Sequence, residues 1–240
     1  MKNSLDNYVK AYEGELQYDF DNEILLNWYP QRILKFAKGA TSLLELGLGH
    51  GYTTNIFSQY FPNHLVIEGS NAIIQHFQKK FPECTAQIVE SYFEDYETTE
   101  TFDVIVMGFI LEHVDDPVKI LKHYRKFLNA DGKLFIAVPN AEVMNRRLGF
   151  LAGLLDDMQS LSENDHLLGH QRYYTVELLK NDIETAGYSV EKFEGIYLKP
   201  LTSKQMMSLG FDSRIIDAFC KLGIDYPELS CGILAELTVK

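Results

Sequence analysis

Short apolar runs alternate with amphipathic stretches from residue 42 to the C-terminus. Residues 42–46, 64–69, 85–89, 102–107 and 133–138 are apolar runs bounded by glycine, proline or polar residues, the pattern of buried strands. Between them, residues 52–60, 71–81 and 117–128 carry apolar side chains at helical spacing. Pro82 stops the second of these helices, and Asn129-Ala130-Asp131-Gly132 reads as a turn after the third. Strands alternating with helices imply βαβ crossovers, and runs without polar alternation imply a sheet covered on both faces. The expected fold is therefore α/β, a three-layer sandwich around a mostly parallel sheet.

Three segments stand outside this alternation. Residues 1–38 are rich in aromatic and acidic side chains, and Ile24, Leu25, Trp28 and Leu34 recur at helical spacing with a break expected at Pro30. They predict an N-terminal helical lid, with Tyr18 and Trp28 able to close over a ligand. Residues 141–172 begin as a helix with a broad apolar face (Val143, Met144, Leu148, Phe150, Leu151, Leu154, Leu155) and continue as a polar stretch. An insertion here falls at the carboxyl edge of the sheet, where open α/β sheets bind ligands. Thr175 caps a helix over 176–186, strands follow at 189–199 and 232–239, and residues 200–229 form a further acceptor-side insertion. With no repeat or linker, residues 1–240 read as a single domain.

Composition narrows the partners. Hydrophobic residues make up 46% and charged residues 23% of 240, the globular range, and the formal charge is −12. An acidic chain is a poor neutraliser of phosphates, so no nucleic-acid partner is expected. The basic run Lys119, Lys122, His123, Arg125, Lys126 reads as a solvated helix face. Cys84, Cys220 and Cys231 lack metal-site spacing and suit a reducing compartment. No apolar run reaches the roughly 18 residues of a membrane span. The N-terminus has no apolar leader core. The expectation is a cytoplasmic protein with a small-molecule partner, no membrane contact and no metal. A homodimer is compatible with the sequence but not specified by it.

The chemistry concentrates at Glu45-Leu46-Gly47-Leu48-Gly49-His50-Gly51, a strand running into a glycine turn and then a helix. Such a turn lets backbone approach a ligand closely. Glu68 ends the next strand 21 positions after Gly47, where a carboxylate can accept both hydroxyls of a ribose. A dinucleotide fingerprint would place its third glycine one position later, where Tyr52 stands. Glu45, two residues before the first glycine, would repel a pyrophosphate but attract a cationic amino-acid cofactor. The combination favours S-adenosylmethionine over a nicotinamide dinucleotide.

Leu43-Leu44-Glu45-Leu46-Gly47-Leu48-Gly49-His50-Gly51 resembles motif I of class I S-adenosylmethionine-dependent methyltransferases. Val66-Ile67-Glu68-Gly69-Ser70, Phe102-Asp103-Val104-Ile105 with Leu111-Glu112-His113-Val114, and Asn129-Ala130-Asp131-Gly132-Lys133-Leu134 resemble the family's later motifs. The resemblance implies a Rossmann-like, seven-stranded sheet whose last strand is antiparallel. It implies that Glu45, Gly47, Gly49, Gly51, Tyr52 and Thr53 face the methionine part of the cofactor, and Glu68, Gly69 and Ser70 the ribose. Ser91, Tyr92 and Phe93 would flank the adenine, with Ser91 standing where the family often has Asp, and Met107 and Gly108 would lie beside the methionine end.

The acceptor must lie opposite that turn. Methyl transfer from a sulfonium needs alignment and, for a hydroxyl acceptor, a base. His113 and the stretch from Asn164 to Tyr174 supply the candidates. The spacing of His166 and His170 with Asp165 would suit a metal set, but Gly169 weakens the helix that would align them. The chain also resembles ubiquinone-biosynthesis-like and natural-product O-methyltransferases, with Pro139-Asn140 followed by His170-x-Arg172-x-Tyr174-Thr175. That resemblance implies His170 as a general base or acceptor-binding residue and Arg172 as the contact that positions an anionic or polar acceptor; Asn140, His166 and Tyr174 are further acceptor-binding candidates. Arg146 is a candidate contact for an acidic acceptor. The expected activity is O-methylation of a small molecule, with N-methylation or a non-catalytic cofactor-binding regulator as the alternatives.

Overall fold

The structure is a computed structural model that describes Leu5 and residues 19–240; residues 1–4 and 6–18 of the proposed lid, Tyr18 among them, lie outside the described residues. The strands β1 (Ser42–Leu46), β2 (Asn63–Glu68), β3 (Gln87–Glu90), β4 (Phe102–Gly108), β5 (Leu128–Pro139), β6 (Tyr188–Leu198) and β7 (Ser230–Val239) form one seven-stranded sheet. Their order is β3-β2-β1-β4-β5-β7-β6. The first five pair in parallel, and β7 runs antiparallel between β5 and β6. The helices are α1 (Asp19–Phe36), α2 (Tyr52–Phe57), α3 (Asn71–Lys80), α4 (Pro117–Tyr124), α5 (Met144–Leu151), α6 (Glu163–Leu168), α7 (Val176–Thr185), α8 (Ser203–Ser208) and α9 (Ser213–Gly223).

Successive strand residues point to opposite faces, so each central strand feeds two cores. Leu44, Leu46, Ile105, Met107, Leu134, Ile136 and Val138 pack with Ile120, Leu121 and Tyr124 of α4 and Leu179 and Ile183 of α7. Leu43, Val104, Val106, Phe135 and Ala137 face the other way, onto Leu25, Tyr29 and Ile33 of α1 and Cys220 of α9. Below β1, Asp103 binds the edge of the sheet together. Its carboxylate accepts from the Thr41 and Ser42 backbone and from Asn129 Nδ2, at 2.8, 3.1 and 2.7 Å. Those backbone donors, Thr41 foremost, hold its carboxyl down at about 2 against partial burial.

Several boundaries differ from the sequence expectation. Pro30 does not break the first helix: α1 runs through it, with Tyr29, Pro30 and Ile33 all buried, so packing outweighs the lost backbone hydrogen bond. The expected turn at 129–132 lies inside β5. From the Phe102–Leu128 pair to the Val104–Lys133 pair, β5 advances five residues while β4 advances two, so the turn residues bulge out of the ladder. The helix expected over 117–128 ends at Tyr124 and finishes as a single 3-10 turn, and α2 stops at Phe57 rather than Tyr60. The broad apolar face expected after β5 is mostly not buried: Val143 is, but α5 has no buried residue, and Leu151 and Leu154 are 76% and 85% exposed.

Candidate active site

The carboxyl ends of β1, β2, β4 and β5 open into a cavity of about 710 Å³. On one side stands the glycine turn, with Gly47, Gly49 and Gly51 all at positive φ. Gly47 has φ +78°, a backbone conformation that favours glycine, and a Cβ there would meet Ile110 Cδ1 at 2.6 Å and make that side chain shift. Glu68, buried at the end of β2, accepts from the Leu48 N–H (3.0 Å) and the Ser70 N–H (2.8 Å), tying turn to strand. Burial raises its carboxyl, against the pull of those backbone donors. Thr53, Gly69, Ser91, Tyr92, Phe93 and Gly108 share this wall. Ser91 Oγ donates to the Tyr92 carbonyl at 3.0 Å.

Four expected cofactor residues stand off the wall. Glu45 alternates with Leu44 and Leu46, so it points away from their core; its carboxylate accepts from Thr53 Oγ (2.8 Å) and stands 3.0 Å from His64 Nε2. Ser70 caps α3 through the Ile73 N–H. Tyr52 lies under the Lys80 ammonium at 4.2 Å, and Met107 is core.

Opposite the turn, the loop after β4 meets the segment after α6. Glu112, His113 and His170 line the cavity with donor atoms all within 4.8 Å of one another, a spacing at which such groups share a proton or a divalent cation. The His113 and His170 rings meet edge to face at 4.8 Å. Asp165 Oδ1 stands 3.0 Å from His170 Nδ1, and Oδ2 accepts from Tyr173 Oη and the Ser162 N–H, both at 2.7 Å. Burial works against the Asp165 charge, yet the hydrogen bonds from His170, Ser162 and Tyr173 hold it well below the usual carboxylate range. His170 is raised: burial lowers it, but Asp165 and Glu112 outweigh that. Burial, reinforced by His170, lowers His113 to about 4, and burial raises Glu112 to about 7. Glu112 is fully buried, and neither carboxylate oxygen has a hydrogen-bond partner among the described residues.

The expected acceptor residues divide. Asn140 lines the cavity, but its amide donates to the Ser230 carbonyl (2.9 Å) and accepts from the Glu142 N–H (2.9 Å). Arg146 also lines it, with its guanidinium donating to the Met158 and Ser160 carbonyls and lying 4.7 Å over the Tyr173 ring. Arg172, Tyr174 and His166 are corrections. Arg172 donates to the carbonyls of Leu111, Val114 and Asp115, fixing the loop that carries Glu112 and His113, and does not line the cavity. Tyr174 is core, donating to Asp182, and His166 is exposed outside the cavity. The His166–His170–Asp165 metal set therefore does not form. Trp28, the other expected lid residue, packs against the second core.

Sequence reasoning missed Glu112, although a carboxylate beside His113 just past a buried strand was the available signal. It also missed Asp21, Asn145, Lys199 and Ser203, which line the cavity from α1, α5, the end of β6 and α8. Nothing local marks these four.

Against known proteins, the sequence profile of a family described as a methyltransferase domain matches residues 19–192. A ubiquinone biosynthesis O-methyltransferase of Aeromonas salmonicida (strain A449) is 23% identical over 83% of this chain and 84% of its own. The same-named protein of Parvibaculum lavamentivorans is 30% identical, over 47% of this chain and only 44% of its own length. Among solved structures, an S-adenosylmethionine-dependent methyltransferase from Thermotoga maritima, described as a possible histamine N-methyltransferase, superposes with a TM-score of 0.65. It is 16% identical and covers 98% of both chains. The N-methyltransferase NodS of Bradyrhizobium japonicum WM9, solved with S-adenosylhomocysteine, gives 0.61 at 13% identity over 98% of this chain and 99% of its own.

Proposed function

This chain belongs to the methyltransferase-domain family of S-adenosylmethionine-dependent enzymes, and from that premise we propose that it methylates a hydroxyl of a small molecule. One observation carries the reading: a single cavity joins the glycine turn and Glu68 to the Glu112–His113–His170 cluster. The turn and Glu68 would hold the nucleoside and methionine parts of S-adenosylmethionine. The acceptor oxygen would then face the cluster. As the O–C bond forms, the C–S bond breaks and its electron pair stays on sulfur, leaving S-adenosylhomocysteine. The hydroxyl proton passes to His170, whose imidazolium Asp165 and Glu112 stabilise. The names of the curated relatives support oxygen as the accepting atom.

Isothermal titration tests the cofactor half: S-adenosylhomocysteine binds with a Kd near micromolar, roughly −8 kcal/mol, and Glu68→Ala weakens it at least tenfold. Absence of binding overturns the proposal. His170→Ala tests the other half, lowering kcat on a hydroxyl acceptor by roughly 10²-fold or more. A loss of only a few-fold would favour an amine acceptor, which attacks through a lone pair and needs no such base.

A further inference from the structure

The acceptor half of the cavity has a second polar end. Asp21, at the start of α1, is 3% exposed and lines the wall; its Oδ2 accepts from Lys199 Nζ at 2.6 Å and from Ser203 Oγ at 2.5 Å. Its other oxygen, Oδ1, is buried and has no hydrogen-bond partner among the described residues. Asn145 joins the same place through the backbone, its N–H donating to the Lys199 carbonyl at 3.2 Å. The side-chain oxygen of Asn145 is likewise buried and unpartnered. Cys231, whose thiol burial pushes up to about 12, lines the cavity beside Asp21 and Lys199 and stays neutral.

The kind of atom left over matters. Among the described residues that line the cavity, the buried side-chain atoms without a partner are Asp21 Oδ1, Asn145 Oδ1 and both oxygens of Glu112, apart from the His170 nitrogen that faces Asp165 at 3.0 Å. All are acceptors. The guanidinium of Arg146 donates to backbone carbonyls, and Lys199 is paired with Asp21. A buried acceptor left unsatisfied costs on the order of 1–3 kcal/mol, so a ligand that brings donors is favoured and one that brings further acceptors is penalised.

We propose that Asp21 and Asn145 form an acceptor subsite that takes a hydrogen-bond-donating head, an amine or a hydroxyl, and rejects carboxylates and phosphates. This rests on the methyltransferase reading above, because it assumes that the acceptor occupies the cavity with its reacting hydroxyl at the Glu112–His113–His170 end. It reverses the sequence expectation that arginines select an acidic acceptor. The local charge of Asp21 is balanced by Lys199, so the discrimination comes from hydrogen-bond polarity and not from net charge alone.

Three probes sharing one ring make the test: 3,4-dihydroxybenzylamine, 3,4-dihydroxybenzyl alcohol and 3,4-dihydroxybenzoate, titrated into protein saturated with S-adenosylhomocysteine. The amine and the alcohol are expected to bind at least tenfold more tightly than the benzoate. Asn145→Leu and Asp21→Asn are each expected to shrink that preference to within about threefold while leaving the Kd for S-adenosylhomocysteine unchanged. Asn145→Leu serves where Asp21→Asn disturbs folding through Lys199. Benzoate binding as well as the other two, a preference that survives both substitutions, or no binding of any probe at millimolar concentration overturns the subsite. Loss of S-adenosylhomocysteine binding by the unaltered protein would instead sink the methyltransferase reading.

Discussion

At the scale of single residues, Glu112 shows how burial sets chemistry. Its carboxyl is raised to about 7 from 4.5 because the side chain is fully buried, with His170 and Arg172 only partly offsetting the penalty. A group that holds its proton more tightly when folded makes stability fall as pH rises from the unfolded value to the folded one. Glu112→Gln removes that loss. The variant is expected to be more stable than the parent above pH 7, with the difference closing below about pH 4.5, as read by thermal melting across pH. A variant less stable at pH 8 would show that the Glu112 charge is held by the fold and not opposed by it. His113 carries the opposite sign: lowered to about 4, it withdraws stability as pH falls from 6.5 toward 4, so comparing the parent with Glu112→Gln is needed to separate the two.

At the scale of elements, α1 and β4 meet where the cofactor wall turns. Gly108 ends β4, and a Cβ there would stand 2.1 Å from the Tyr29 hydroxyl and 2.9 Å from its Cζ. Tyr29 in turn packs edge to face on Phe109, which holds a positive φ of 59°. The backbone of β4 therefore closes directly onto the helix above it. Gly108→Ala is expected to cost roughly 1–3 kcal/mol in urea unfolding, as overpacking of a core contact does. Tyr29→Phe removes the nearest atom, so the double variant is expected to recover part of that loss. Strict additivity of the two would mean that Tyr29 is not what fills the space. Element boundaries tell the same story of tertiary context. Pro30 marked an end to the first helix by local rules, yet buried neighbours carry α1 through it, and the turn chemistry of residues 129–132 appears as a bulge inside β5.

At the scale of the whole molecule, ligand and fold are linked because the cavity is assembled from the turn after β1, the ends of β2 and β4, α1, α5, α8 and the segments after α6 and β6. No helix among the described residues is long and apolar enough to cross a membrane. A ligand that binds only this assembled state stabilises it by mass action: at 100 times its Kd, S-adenosylhomocysteine contributes about 2.7 kcal/mol. For a chain of this size that is a rise of roughly 5–10 °C in Tm. A thermal scan that shows no shift at saturating ligand would mean that the cavity does not take the nucleoside.

The order of strands and helices, the glycine turn and Glu68 were legible in the sequence, because each is written in local terms. Apolar runs report burial, and glycine spacing reports backbone that must adopt positive φ or admit a ligand. The other half of the site was not legible. His113 and His170 could be named as candidates, but only folding sets their rings 4.8 Å apart and adds Glu112 between chemistry and core. Arg172, named as an acceptor contact, reaches the loop carbonyl of residue 111, and Glu45, named as a cofactor contact, is bonded to Thr53 and His64, partners that only the fold brings to them. Asp21 and Asn145 meet Lys199 across more than fifty residues of chain. A sequence pattern determines which face of an element is buried; which partner a polar side chain finds there depends on where distant loops come to rest.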